Sequence, residues 1–256
     1  MSAPFSNSPA TGGRPSHGKR NLIIAVLAIL VVAGVAGGGY GLWYILVGPG
    51  GPAAVSSGPP ALPTGAGVAA PAALDGTWNV DTSLGSSSDG SATFAGYRVQ
   101  EQLVGVGGHT AVGRTPKVSG SMTLTGTVVS NVKITVDLSV LTSDDSHRDD
   151  QLRRQALESD KFPTATFAST QPIDIGTLPA DGTSVKVNAA GTLTLHGVSK
   201  TVTVALQAVR QGGIIAVTGS LPITFSDYSI QKPNSFSVLS VDDHGIMELH
   251  LLFTHA

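Results

Sequence analysis

The strongest structural signal in the chain lies in residues 185–209, which read VKVNAAGTLTLHGVSKTVTVALQAV. Apolar side chains occupy alternate positions on both sides of His196-Gly197. They are Val185, Val187, Ala189, Leu193 and Leu195 before it, and Val202, Val204, Leu206 and Ala208 after it. A period of two is typical of strands with one buried and one solvated face. The segment therefore predicts two β-strands joined at a glycine turn.

The same alternation recurs on both sides of this segment. It runs through residues 133–140 and 215–223, and residues 246–253 are apolar on both faces except at Glu248 and His250. Only residues 149–157 have helical spacing, and Pro163 follows them. Many short strands with one helix in a connection predict an all-β fold. The pattern leaves a closed antiparallel barrel and a sandwich both open.

Composition excludes several classes of protein. The chain has 256 residues, of which 41% are apolar and only 12% charged, with no Cys and a formal net charge of −2. Because Cys is absent from the sequence, a disulfide scaffold, thiolate catalysis and a Cys-ligated metal are excluded. The net charge gives no electrostatic reason to bind nucleic acid. Acidic residues begin only at Asp75, and residues 75–256 are long enough for one folded domain.

The N-terminal region predicts a membrane anchor. Residues 22–47 form an uncharged run of 26 residues, long enough to span a bilayer as a helix. Arg14, Lys19 and Arg20 precede it, so the positive-inside rule places a disordered tail, residues 1–21, in the cytoplasm. The predicted location is therefore the cell membrane, with a single span and an extracytoplasmic C-terminal domain. The alternative is a cleaved signal peptide, with residues 22–36 as its apolar core.

Residues 48–74 connect this anchor to the domain. They contain six Pro, six Gly and eight Ala and no charge, which is the composition of a flexible linker. With either the anchor or the signal peptide, the domain is exported.

Four motifs in the domain resemble the YceI-like family of exported lipid-binding barrels. They are Gly76-Thr77-Trp78-Asn79-Val80-Asp81, then Val140-Leu141-Thr142-Ser143-Asp144 with Arg148-Asp149 and Leu152, then Phe162-Pro163-Thr164-Ala165-Thr166-Phe167, and finally Gly191-Thr192-Leu193-Thr194-Leu195-His196-Gly197-Val198-Ser199-Lys200. The last is the most specific. The motifs follow the family's order, and the resemblance covers almost all of residues 75–256.

The resemblance implies an eight-stranded, lipocalin-like antiparallel barrel with a long apolar cavity that holds a polyisoprenoid or a similar amphiphile. It implies binding, for sequestration or transport. The sequence contains no P-loop, HExxH, nucleophile elbow or GxGxxG motif, so we expect neither enzymatic activity nor a cofactor or metal. We expect nine residues to line the cavity: Trp78, Phe94, Tyr97, Leu138, Leu152, Phe162, Phe167, Leu193 and His196. Phe162 and Phe167 also fit a packed core, and His196 also fits a hydrogen-bonding turn residue.

The second predicted strand departs from the family pattern, in which many members carry a His after its Phe. Here residues 94–101 contain no His, and either Tyr97 or Arg98 is a candidate replacement at the ligand's polar end. Arg98 also fits a solvated strand residue. Small residues on the inward face, such as Gly191 and Gly219, either leave room for a ligand or mark tight corners of a barrel.

Other functions have weaker support in the sequence. A barrel that holds no ligand and acts as a structural or interaction domain of the cell envelope is the main alternative. A hydrolase based on His147 or His196 lacks a recognisable nucleophile–base spacing. Asp144, Asp145, Asp149 and Asp150 surround His147, which suggests either a hard-cation site or the solvated acids of a helix N-terminus.

Overall fold

The computed structural model describes residues 52–55, 58–65, 67–105, 107–233 and 238–256, which belong to one compact unit. The predicted cytoplasmic tail (1–21) and transmembrane helix (22–47) lie outside the described residues. Within the described ranges, every helix is too short or too polar to cross a bilayer.

The described residues form thirteen strands and one short helix. The strands are β1 (Gly76–Val80), β2 (Phe94–Leu103), β3 (Gly107–Thr115), β4 (Val118–Thr125), β5 (Val128–Asp137), β6 (Thr142–Ser143), β7 (Thr164–Ser169), β8 (Ile173–Asp174), β9 (Ser184–Leu195), β10 (Val198–Gln211), β11 (Ile214–Thr224), β12 (Val238–Val241) and β13 (His244–His255). The helix α1 (Ser146–Gln151) continues into a π-helical turn (Leu152–Ala156), and a 3₁₀ turn (Phe225–Tyr228) follows β11.

Eight of these strands close into an antiparallel barrel. The ring runs β1-β4-β5-β7-β9-β10-β11-β13, and β13 pairs back onto β1. Trp78, Asn79 and Val80 of β1 lie opposite His255, Thr254 and Phe253 of β13. This closure confirms the barrel and excludes the sandwich, because a sandwich keeps two separate sheets.

One end of the barrel wall is built from other strands. The first half of β13 pairs with β2 instead of β1, from Ile246 opposite Arg98 to His250 opposite Phe94. β2 then pairs with β3, and β3 pairs with β6, which leads into α1. The helix begins three residues earlier than its sequence spacing predicts, because Asp145 accepts hydrogen bonds from the backbone amides of His147 and Arg148 and caps it there.

The β9–β10 hairpin has the register that the alternation predicts. Leu195 lies opposite Val198, so only His196 and Gly197 form the loop. Both have positive φ, 52° and 73°. Two consecutive left-handed residues match the twist of the flanking strands, and Gly197 meets this requirement without strain. The pairing continues to Val209 opposite Ser184, which makes this hairpin one long side of the barrel.

The last strand buries side chains on both of its faces. Met247, Leu249, Leu251 and Phe253 face the interior of the barrel. Alternate residues point outward, yet Glu248 is only 3% exposed and Leu252 is fully buried. Leu252 packs with Val209, Ile214 and Ala216 on the outside of the barrel. Another segment of the chain must therefore cover the outer face of β13.

The cover is an extended segment that we call the strap, residues 52–55, 58–65 and 67–69. Leu62 and Val68 of the strap pack against the outer cluster around Leu252. The Gly213 amide donates a hydrogen bond of 3.0 Å to the Val68 carbonyl oxygen. The predicted linker is thus seated on the barrel over this part of its length, although the described part of it has neither helix nor strand.

Buried charges hold the first part of the strap. The Glu248 carboxylate accepts hydrogen bonds from Arg98 Nε at 2.9 Å, from Arg114 Nη2 at 2.7 Å and from the Val55 amide at 3.1 Å. The guanidinium groups of the same two arginines donate to the carbonyl oxygens of Pro52 and Ala53. These contacts fix the backbone of the strap and compensate the buried Glu248 charge.

His250 connects the strap to the loop before β2. Its Nε2 lies 2.9 Å from the Ala61 carbonyl oxygen, and its Nδ1 lies 2.9 Å from the Ala92 carbonyl oxygen. Burial lowers the pKa of His250, and nearby Arg114 lowers it further. The two carbonyl groups favour the protonated ring and so raise this pKa, but by less than burial lowers it. The folded protein therefore holds the neutral imidazole more strongly than the unfolded chain does.

We expect the strap to contribute to stability through Leu62 and Val68. Replacing both by Ser should lower the free energy of unfolding by about 2 kcal/mol, since each half-buried side chain contributes about 1 kcal/mol. Chemical denaturation of the domain measures this. The matched control replaces the exposed Ala69 and Ala70 by Ser and should leave stability unchanged. Equal stability of the two double variants would contradict the packing of the strap.

His250 should make stability dependent on pH in one direction. Because its folded pKa lies below the ordinary value of 6.5, the unfolded chain takes up the proton first as pH falls. Stability should be constant above about pH 7 and decline as pH falls below 6.5. Denaturation of His250→Gln should show a smaller decline, whereas the exposed His147→Gln should keep that of the wild type. A wild-type protein that gains stability over this range would show instead that a protonated ring bridges the two carbonyl groups.

Candidate functional site

The barrel encloses an apolar cavity of about 300 Å³. Its wall includes side chains from both ends of β9, from Val185 to Leu195. Ten residues of strand span about 33 Å, or about 25 Å along the axis of a barrel whose strands tilt by about 40°. The cavity is therefore elongated, and it lies at the lower end of the range for small-molecule sites, about 300–1,000 Å³.

The structure brings five of the nine predicted site residues together on the cavity wall. They are Tyr97, Leu138, Leu152, Phe167 and Leu193. Leu138 and Leu193 are buried in one apolar cluster, against which Leu152 packs from the π-helical turn. Contact of these residues with a ligand stays a prediction.

Trp78 and Phe94 are not among the residues that line the cavity. Trp78 is fully buried in the cluster with Met122 and Phe253, and its Nε1 donates to the Leu74 carbonyl oxygen at 3.0 Å. Phe94 lies with the outward-facing charges: its ring centroid is 3.9 Å from the Arg114 guanidinium carbon and 6.0 Å from the centroid of the His250 ring. The aromatic character of a residue therefore did not predict whether it lies in the packed core, on the outer face of the barrel or on the cavity wall.

Phe162 and His196 also lie away from the cavity wall, beside the β9–β10 turn. Their ring centroids are 4.5 Å apart in an edge-to-face contact. His196 Nε2 lies 2.9 Å from Glu158 Oε2, and its Nδ1 lies 2.9 Å from the Tyr228 carbonyl oxygen. Since both ring nitrogens have partners, His196 ties the hairpin turn to two neighbouring loops, and it has no free nitrogen to act as a general base.

The small inward residues fall into two groups. Ala189 and Ala208 line the cavity, so their short side chains leave space in it. At Gly191 a β-carbon would overlap the Phe167 ring, and at Gly219 one would overlap Leu206. These two glycines therefore allow close packing of a neighbouring side chain. The alanines thus leave room in the cavity, whereas the glycines serve side-chain packing; tight barrel corners at these positions stay a prediction.

A polar cluster borders the otherwise apolar cavity where β2, β3 and α1 meet. Glu101 Oε1 lies 2.8 Å from Arg148 Nη2 and 3.1 Å from His109 Nδ1. Arg148 Nη1 donates to Asp144 Oδ1 at 2.6 Å. Burial alone would lower the pKa of Arg148, but the charges and hydrogen bonds of Glu101 and Asp144 outweigh it and raise that pKa.

Tyr97 is positioned beside this cluster by a glycine on the next strand. Tyr97 lies opposite Gly113, and a β-carbon at Gly113 would overlap the tyrosine ring. Among the side chains that the structure describes, the Tyr97 hydroxyl is the buried polar group without a hydrogen-bond partner. Burial raises the pKa of this phenol, and Asp149, Glu101 and Asp144 raise it further against the opposing charge of Arg148. The group therefore stays protonated at physiological pH.

Arg98 has neither of its predicted roles. Its side chain is 14% exposed and ion-paired with Glu248 at 2.9 Å, so it is not a solvated strand residue. It also donates to the strap, on the opposite face of β2 from Tyr97. Of the two candidates for the ligand's polar end, Tyr97 is the one that reaches the cavity.

The acidic residues around His147 have protein partners. Asp145 caps α1, and Asp149 Oδ1 accepts hydrogen bonds from the Ser143 amide at 2.8 Å and hydroxyl at 2.7 Å. Asp144 and Asp150 pair with Arg148 and Arg153. No group of three or more potential metal ligands is arranged to hold an ion within the described ranges.

Comparison with known proteins identifies the family. A sequence model of the YceI-like domain matches residues 78–253, which is more than half of the chain. The chain belongs to the YceI-like family. The resemblance of its four motifs is thereby confirmed.

Similar proteins come from several bacteria. A UPF0312 protein of Vibrio vulnificus (strain YJ016) is 33% identical over 132 residues, which cover 48% of this chain and 61% of the relative. One of Enterobacter sp. (strain 638) is 31% identical over 127 residues, covering 48% and 60%. The chain thus spans about three fifths of the length of these curated relatives.

A solved structure shares the fold. The polyisoprenoid-binding domain from Saccharophagus degradans, implicated in plant cell wall breakdown, superposes with a TM-score of 0.51 at 18% identity. The match covers 70% of this YceI-like chain and 98% of that domain. At this identity the comparison supports the barrel fold alone.

The sequence interpretation missed Glu101 and Arg148 as residues of the cavity wall. A signal for Glu101 was present, since it continues the inward alternation of Tyr97 and Val99 on β2, where an acid is unexpected. Arg148 was noted only as part of a helix motif. The sequence did not indicate that Glu101 and Arg148 lie close together, because the long-range pairing of β3 with β6 is what brings them into contact.

Proposed function

We propose that this YceI-like barrel binds one long-chain amphiphile, such as a polyisoprenoid or another lipid, and sequesters or carries it. The observation that supports this most is the elongated apolar cavity with a small polar cluster on its wall. A buried alkyl chain gains about 0.8 kcal/mol per methylene. Polyisoprenoid binding by the domain from Saccharophagus degradans is consistent with the proposal.

Binding without catalysis fits the arrangement of polar groups better than hydrolysis does. His147 is exposed on α1, and both nitrogens of His196 have partners outside the cavity. The cavity wall carries ion-paired side chains and the hydroxyl groups of Tyr97, Thr166 and Ser220. In the part of the chain that the structure describes, none of these hydroxyls is hydrogen-bonded to a His, Asp or Glu side chain that would activate it as a nucleophile. The ligand would therefore leave the site chemically unchanged.

We further propose that the barrel acts outside the cytoplasm and is tethered by residues 22–47. The support is in the sequence: an uncharged run of 26 residues preceded by Arg14, Lys19 and Arg20. A lipid carrier held near a bilayer would exchange an apolar ligand over a short path through water, where such ligands are least soluble.

Filling the cavity should weaken lipid binding. Ala189→Phe places a ring inside the barrel and should weaken binding of a long-chain lipid by at least about tenfold. A tenfold weakening is about 1.4 kcal/mol, which the ring would cause by keeping about two methylenes of the lipid out of the cavity. The control, Asn188→Phe, places the same ring on the exposed face of β9 and should bind like the wild type. Native mass spectrometry of each domain mixed with geranylgeranylacetone measures occupancy.

Wild-type protein that stays empty in this assay would contradict the proposed function and favour a ligand-free structural domain. Equal occupancy of the two variants would place the lipid outside the barrel.

The anchor is tested on the full-length protein in its membrane. It should stay with membranes through high salt and carbonate, because salt weakens only electrostatic attachment, whereas a spanning helix is held by burial. Protease added to intact cells should release a folded fragment that begins within residues 48–74. An N-terminus that maps downstream of Ala36 would show a cleaved signal peptide instead. Protection in intact cells with cleavage in lysates would reverse the orientation.

A further inference from the structure

We infer that the cavity selects an amphiphile whose polar end is an uncharged hydrogen-bond acceptor, such as a ketone or quinone oxygen. The Tyr97 hydroxyl donates a hydrogen bond to this acceptor, and the cavity disfavours an amphiphile that ends in a phosphate. The inference rests on the proposed function, since it specifies the chemistry of the lipid's polar end. It follows from one unpaired donor and from the charges around it.

The donor is the Tyr97 hydroxyl. It is buried at the cavity wall without a partner, although leaving a buried hydroxyl without a hydrogen bond destabilises the folded protein. The ring has little freedom to turn toward another acceptor, because it lies against the backbone of Gly113. An acceptor on a bound ligand would satisfy this group, and a hydrocarbon would leave it unpaired.

The charges exclude an anion as the preferred partner. Arg148 is on the same cavity wall and its charge acts on Tyr97, but its guanidinium already contacts Glu101 at 2.8 Å and Asp144 at 2.6 Å. Asp149 adds a third carboxylate whose charge acts on Tyr97. Carboxylates thus outnumber the guanidinium group here, and a phosphate would have to displace one of them from Arg148.

The rest of the cavity wall offers no alternative cation. Arg210 is paired with Asp181, and the Arg98 and Arg114 side chains are held by Glu248 on the outer face. Every charged side chain on the described wall therefore has an opposite charge beside it. A neutral head avoids breaking any of these pairs, each of which would leave a buried charge uncompensated.

Three probes with the same kind of tail test this inference on the purified protein. Geranylgeranylacetone carries a ketone, geranylgeranyl phosphate carries an anion, and the matched hydrocarbon, in which a methylene replaces the carbonyl of geranylgeranylacetone, has no polar end. We expect the ketone to bind about five- to tenfold more tightly than the matched hydrocarbon, as one hydrogen bond to a buried donor provides, and the phosphate to bind more weakly than the ketone. Competition measured by native mass spectrometry gives the order.

Tyr97→Phe identifies the donor. The variant should lose the preference for the ketone over the matched hydrocarbon while keeping its affinity for that hydrocarbon. Its melting temperature without lipid should equal or exceed that of the wild type, because the hydroxyl it removes has no partner. The control is Tyr228→Phe, the same change at a buried tyrosine that does not line the cavity; it should keep the preference.

The outcomes separate this inference from the proposed function. If the matched hydrocarbon and the ketone both fail to bind, the proposed function itself is wrong. If lipids bind but the phosphate binds as tightly as the ketone or more so, or if Tyr97→Phe keeps the wild-type preference, only the inference about the polar end is overturned.

Discussion

The structure depends on the pairing of the first strand with the last. When Trp78–Val80 of β1 align with Phe253–His255 of β13, eight strands form a ring without the two exposed edges that they would keep as an open sheet. Closure also gives each strand an inside and an outside. The inward alternate residues then enclose a cavity, and the outward ones of β13 need a separate cover, which the strap provides. Closure therefore creates the cavity, and the strap covers the outer face of β13 through contacts of its own.

The alternation of apolar residues predicted the strands well because it reports a local property, the difference between two faces of one strand. The β9–β10 hairpin follows directly from it, including the turn at His196-Gly197. Closure is different, since β1 and β13 are separated by most of the domain, and no local pattern specifies which strands meet. The choice of a barrel over a sandwich came from family resemblance, and the structure confirms it.

The positions of the predicted site residues have a similar explanation, and their contact with a ligand stays a prediction. Leu138 and Leu193 were found because inward alternation in a hollow barrel places side chains on the cavity wall. Trp78, Phe94 and Phe162 were chosen for their aromatic rings, but they lie in the core, beneath the strap and beside a turn. Composition likewise describes residues 48–74 as a linker, and it carries no information about the contacts of their backbone with Arg98, Arg114 and His250.

The central claim is that a lipid occupies the inside of the barrel, and photochemical labelling tests it most directly. A long-chain lipid with a diazirine in its alkyl chain is bound to the protein and photolysed, and tandem mass spectrometry maps the labelled residues. Label is expected on inward residues such as Val187, Leu193 and Leu251, which line the cavity. Label confined to exposed apolar residues such as Val104 and Leu239, 53% and 71% exposed, would contradict a ligand inside the barrel.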